Sequence, residues 1–262
     1  MESIGAARGR RTGKSGQSDY YVGYKKHTAV GFLQIDGHWR GVPLASRVTA
    51  ANRGDVELIT SLFRATQTAT WNFWPIHIVL GDKGYTSARD ARWLRQEHGV
   101  AFVVRPKADL VPPVGTDPDG CPLCPAGERL IWDEYDQADE MLIYRADECV
   151  CGACGLRGTC PRQFDFDAGR HETFWGMIPT HSRLARLLLR QFRPLVEPNF
   201  YQSKVRHALA RLFLNSPEFT DSVGKMSDLI QTLEILAPKK PMRGLQAKNS
   251  TLREVKQPEL WD

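Results

Sequence analysis

The sequence predicts an α/β fold, and three observations carry the prediction. Residues 20–35 and 41–49 read as two antiparallel strands joined through Asp36-Gly37. A short β-branched run, Pro75-Ile76-His77-Ile78-Val79-Leu80, ends in the turn Gly81-Asp82-Lys83-Gly84-Tyr85 before helical periodicity resumes. After a Cys-rich stretch, helical spacing returns from Ser182 to Leu214, with breaks at the prolines, and again from Met226 to Leu236.

The elements follow in order. Asp-Gly between two strand-like runs is a hairpin signal, because both residues tolerate the left-handed backbone of a type I′ turn. Residues 55–67 read as a helix, 76–81 as a strand, 87–97 as a helix that Ser87 can cap, and 101–105 as a strand. From Pro106 to about Arg170 the chain is rich in Pro, Gly, Asp and Cys and holds all six cysteines. The expected organisation is a basic flexible segment (1–19), a first core part (20–105), a Cys-rich insertion (106–181), a helical second core part (182–237) and a basic tail (238–262).

Two segments bear chemistry. Asp82 stands at the carboxyl end of a strand beside glycines that permit close backbone approach, which is where open α/β sheets place their sites. The plain alternative is a turn aspartate, with Ser87 capping the helix that follows. Arg193, Glu197 and Lys204 lie four and seven residues apart. On a helix these offsets are about 400° and 700° of rotation, so the three side chains share one face. A carboxylate between two cations suits a phosphodiester, the acid holding a divalent metal and the cations holding phosphates. A solvated helix face is the bland alternative. Pro198, directly after Glu197, removes a backbone bond at a cost of about 3 kcal/mol in a regular helix, so a kink or a late helix start is expected there.

The cysteines fall as Cys121-x2-Cys124 and Cys149-x-Cys151-x2-Cys154-x5-Cys160. Paired C-x2-C motifs have the spacing of a zinc ribbon, so Cys121, Cys124, Cys151 and Cys154 are the expected Zn²⁺ ligands, with Cys149 or Cys160 as alternates. Unligated reduced thiols are the other reading, and disulfides are not expected in a reducing compartment. Gly13-Lys14-Ser15 lacks the first glycine of a nucleotide loop, since Arg8 stands there, and His171-Glu172 fails as a zinc-protease motif at Trp175. Trp71 and Trp74, beside the Asp82 strand, are expected to pack in or near the core.

The 262 residues carry a formal charge of +5 and a pI near 8.9, which mildly favours a polyanion. The excess gathers at the ends, in Arg8, Arg10, Arg11 and Lys14 and in Lys239, Lys240, Arg243, Lys248, Arg253 and Lys256. No apolar stretch approaches the roughly 20 residues that cross a bilayer, so no membrane partner and a cytoplasmic location are expected.

Together these segments resemble the DDE-type insertion-sequence transposases. The likeness runs from about residue 20 to 215, through Gly23-Tyr24-Lys25-Lys26-His27, Gly41-Val42-Pro43-Leu44, Val48-Thr49-Ala50-Ala51-Asn52 with Asp55, the Asp82-Lys83-Gly84-Tyr85 turn, and Arg193, Glu197 and Lys204 of a Y-R-E-K signature. It implies a ribonuclease-H-like mixed sheet with helices and a Cys-rich insertion before the last catalytic helix. It also implies DNA strand cleavage and transfer on two Mg²⁺ or Mn²⁺ ions, with Asp82 and Glu197 as the second and third carboxylates. Lys25, Arg193 and Lys204 would hold DNA, namely the terminal repeats and the target, and a homodimer or a complementing transposase chain is an expected partner. Arg190 replaces the signature tyrosine, and none of Glu2, Asp19 or Asp36 matches the first aspartate. A chain lacking its N-terminal part is therefore expected. The alternative is an inactive remnant that binds zinc and DNA.

Overall fold

A long hairpin stands near the amino terminus, in a computed structural model that describes residues 7–12, 18–70, 74–105, 111–203 and 216–237. Strands β2 (Ser18–Ile35) and β3 (His38–Ala50) pair antiparallel from Ile35↔His38 to Tyr24↔Ala50. Asp36 (φ 51°) and Gly37 (φ 75°) both take the left-handed conformation, as the Asp-Gly signal demands. A register shift lets Leu44 bulge between the pairs Ala29↔Ala45 and Val30↔Pro43. Strand β1 (Ala7–Thr12) pairs with the part of β2 that overhangs β3, Ser18 to Gly23. The sequence reading placed a flexible segment there. An overhanging strand end supplies main-chain partners without needing an apolar run, so the periodicity carried no sign of β1.

A 3-10 turn (Asp55–Leu58) leads into α1 (Ile59–Ala69), followed by β4 (Ile78–Gly81), α2 (Ala88–His98) and β5 (Ala101–Val104). β4 and β5 pair in parallel through the α2 crossover, and Ile59, Phe63, Leu94, Val100, Phe102 and Val104 close the core between them. Ser87 caps α2 by accepting from the Asp90 amide at 3.2 Å, while its hydroxyl donates to the Asp90 carboxylate at 2.5 Å. Ser87→Ala is expected to cost about 1 kcal/mol or more, because a lost cap also takes a partner from the buried Asp90. A lowered thermal midpoint of the variant checks this. Among the described residues, the β4–β5 pair is not hydrogen-bonded to the β1–β2–β3 sheet.

Residues 111–182 hold more order than their composition suggested. Strands β6 (Leu130–Asp136), β7 (Met141–Ala146) and β8 (Gln163–Asp167) form an antiparallel sheet with α3 (Glu148–Cys151) and α4 (Ala168–Trp175). This sheet has its own core of Leu130, Leu142, Tyr144, Phe166, Phe174 and Trp175. Arg95 of α2 and Glu172 of α4 tie it to the β4–β5 unit.

The helical second part is broken as Pro194 and Pro198 require. α5 (Arg183–Phe192) gives way to a 3-10 turn (Arg193–Leu195), and the helix restarts as α6 (Glu197–Tyr201), each proline sitting near a helix start where its missing N–H costs least. Arg193 and Glu197 therefore occupy separate helical segments instead of one continuous stripe, and Lys204 lies outside the described residues. α7 (Pro217–Leu236) lies on the hairpin, where Asp228 meets Lys26 at 2.5 Å and the fully buried Gln231 donates to Ser203 and Ser227. No helix among the described residues is long and apolar enough to cross a membrane.

Candidate active site

Asp82 follows the last residue of β4 in extended backbone and caps the 3-10 turn Lys83–Tyr85, its Oδ1 accepting from the Lys83 amide at 2.8 Å. The turn role and a site role thus coexist, while Ser87 caps α2. The Arg193 guanidinium lies 3.2 Å from the same Asp82 oxygen, which brings the two signature segments into contact. Beneath the turn sits Asp55, and a Cβ on Gly84 would lie 2.5 Å from its Oδ2, so glycine is what allows the turn to rest there. Lys25 holds Asp55 at 3.4 Å and donates to the Arg53 carbonyl at 3.2 Å. Its ammonium is thus engaged within the protein at the corner where the sequence reading assigned it to DNA phosphate.

Two residues that the sequence reading did not assign to the site complete this corner. His27 is 5% exposed, with Nδ1 2.7 Å from the Tyr85 hydroxyl and Nε2 3.3 Å from that of Thr49. Burial lowers the His27 pKa below the ordinary 6.5, opposed by Asp55 and reinforced by Lys25. Burial raises the Tyr85 pKa, and Asp55 and Asp82 add to it. His171 and His181 are lowered by burial as well. A lowered folded-state value means that the unfolded chain binds the proton first. Stability from these histidines is thus complete above pH 6.5 and lost as pH falls from there toward the folded-state values. Urea midpoints should drop between about pH 7.5 and pH 5.5, and His27→Gln should flatten that slope.

Asp82, Tyr85, Arg193 and Glu197 line one cavity of about 870 Å³. Glu197 is exposed at the first turn of α6 and lines the same space. Carboxylate oxygens are the donors that hard divalent cations take. Among the described residues, however, no three His, Cys, Asp or Glu side chains are grouped so as to hold an ion.

Residues 4–149 match the Transposase DDE domain family, over more than half of the chain. The chain belongs to that family. The match takes in the hairpin, Asp55 and the Asp82 turn and ends before Glu197. Comparisons with curated proteins and with solved structures found no match.

The cysteines of this DDE-family chain form no metal-holding group among the described residues. All six are free thiols. The Cys121 sulfur accepts from Arg129 at 2.9 Å. Cys151 is pushed up by desolvation and then by Cys160, Cys154 and Cys124. Cys149 is exposed. Trp74, expected to pack, is 67% exposed at the edge of the cavity, and Trp71 lies outside the described residues.

Proposed function

We propose that this chain serves DNA transposition as a DDE-type strand-transfer protein on a ribonuclease-H-like core, with Asp82 and Glu197 as the metal-holding acids. The observation that carries the reading is the Asp82–Arg193 contact at a cavity that Glu197 also lines. A divalent ion held there would supply Lewis-acid activation of the attacking and leaving oxygens. The protein's own part is positioning. The Lys83 amide and the Gly84 turn on Asp55 fix the direction of the Asp82 carboxylate, and the part-buried His27–Tyr85 pair supports that turn from behind. Arg193 neutralises Asp82 in the absence of a cation. With a cation on the carboxylate, the guanidinium would be available to a phosphate as a bidentate donor.

Mn²⁺ binding followed by electron paramagnetic resonance tests the site. The chain is expected to bind Mn²⁺, with affinity reduced roughly tenfold or more in Asp82→Asn and in Glu197→Gln. Equal binding by all three proteins would remove both acids from the site. The second reading, a remnant that binds DNA without cutting it, is favoured by one observation: the described residues place no third acid in a metal-holding group.

A further inference from the structure

Helix α5 carries a ladder of arginines that begins at the candidate site. Arg186, Arg190 and Arg193 follow Arg183 by three, seven and ten residues, and Arg193 keeps helical backbone (φ −57°, ψ −42°) where α5 ends. Offsets of about 300°, 700° and 1000° bring the four side chains within about 80° of rotation, so they share one face over about 15 Å. All four are exposed. The other side of α5 is apolar: Ala185 is buried, and Leu188, Leu189 and Phe192 line the cavity that Asp82 also lines. Arg183 and Arg186 precede the R-E-K spacing, and Arg190 stands where the signature has tyrosine.

The fold leaves these charges unspent. Of the four, Arg193 alone has a carboxylate within ion-pair reach among the described residues, Asp82 at 3.2 Å. Arg186 donates to the neutral Pro118 carbonyl at 3.5 Å. Asp117 and Asp119, on either side of Pro118, are taken by Arg129 at 3.5 and 3.6 Å. Like charges three and four residues apart on a helix repel, and an anion that spans them relieves the repulsion. The positive surface widens at the site end. Gly81 and Val104 are register partners, so Arg105 leaves the β4–β5 pair at the same end as Asp82, with Lys83 next in the chain, and both cations are exposed.

We propose that α5 is a phosphate track: a DNA strand held at Asp82 runs past Arg190 and Arg186 to Arg183, each guanidinium gripping the backbone. Its origin rests on the reading of Asp82 given above, whereas binding along it needs no metal. A guanidinium presents a planar fork that matches a phosphate bidentately, and it stays charged at any working pH. Successive arginines rise about 4.5–6 Å along the helix. At about 3.4 Å per nucleotide of one strand, the ladder covers about four nucleotides beside the site. Contacts to phosphates carry no base identity, so the track sets position and affinity and leaves sequence choice to other surfaces.

Fluorescence anisotropy with a DNA duplex of about 20 base pairs, in excess EDTA and over about 50–200 mM salt, tests the track. Each phosphate contact contributes about 0.9 to the slope of log K against log salt. The triple variant Arg183→Gln, Arg186→Gln, Arg190→Gln is expected to reduce that slope by about 2–3 and the affinity at about 100 mM salt roughly 30-fold or more. An equal-charge control, Arg89→Gln, Arg145→Gln, Arg170→Gln, removes three exposed arginines from other elements, each within 3.8 Å of a carboxylate. It is expected to change the slope by less than about one. Lysine at the three ladder positions keeps the charge and is expected to keep most of the slope. The proposal is overturned by no measurable binding of the unaltered chain, by an unchanged slope in the ladder variant, or by equal losses in ladder and control variants. A loss with lysine as large as with glutamine overturns it too, since lost charge would then not be the cause. EDTA keeps metal out of the measurement, so a failed Mn²⁺ test of Asp82 and Glu197 leaves this result standing, and the converse holds.

Discussion

Glu172→Ala is expected to cost about 3–5 kcal/mol of stability, as the loss of one partner from a buried ion pair does. Glu172 is 2% exposed, and its two oxygens take the Arg95 guanidinium in a fork, Nε at 2.6 Å and Nη2 at 3.1 Å. The carboxylate is satisfied there, and so is the cation, which also lies 5.2 Å over the Tyr135 ring. Removing the acid leaves a partly buried guanidinium with no carboxylate to meet it, on the contact that joins the β6–β7–β8 sheet to α2. Replacing both partners, as in Arg95→Met with Glu172→Leu, removes the stranded charge and is expected to recover much of the loss. Urea unfolding of the two single variants and the double variant measures the coupling. Losses that simply add in the double variant would show that the pair does not act as a unit.

What the sequence made legible was local. Asp36-Gly37, the Ser87 cap, the short β-branched run into Asp82 and the break at Pro198 each depend on the backbone preferences of a few adjacent residues, and each is where those preferences put it. The pairing of His27 with Tyr85, and of Asp55 with Gly84, joins residues far apart in sequence, and nothing in either segment marks its partner. Polar residues that pack inside, such as His27, look like surface residues to a periodicity argument. The β6–β7–β8 sheet was hidden for a related reason. Asp133 and Glu134 sit within β6, where an irregularity in the pairing disrupts the alternation a strand would show, and the cysteines and prolines around it suggested loops. The Asp82–Arg193 contact was not legible at all, since spacing along the chain does not specify which turn faces which helix.

The chain by itself is expected to leave DNA uncut and unjoined in Mg²⁺ or Mn²⁺. Two-metal displacement needs enough carboxylate charge to hold a cation at both the attacking and the leaving oxygen. Asp82 and Glu197 offer two acids at the cavity, and one Asp82 oxygen is already shared between the Lys83 amide and Arg193, while Asp55, beneath the turn, is held by Lys25 and does not line that cavity. Asp36 is committed to the hairpin turn at the far end of β2, away from the Lys25 and His27 end that meets Asp55 and Tyr85. A pair of acids can hold one cation, which leaves one of the two reacting oxygens without stabilisation. Binding is a separate matter, because affinity for DNA through lysines and arginines needs no metal and should fall steeply as salt rises. A strand-transfer assay with terminal-repeat DNA, run beside Asp82→Ala and Glu197→Ala, decides the point. The expected result is no product above that of the two variants. Product that disappears in both variants would mean that a third acid reaches this corner from Glu2, from Asp19 or from a partner chain, and the chain would then be a complete strand-transfer enzyme in that assembly.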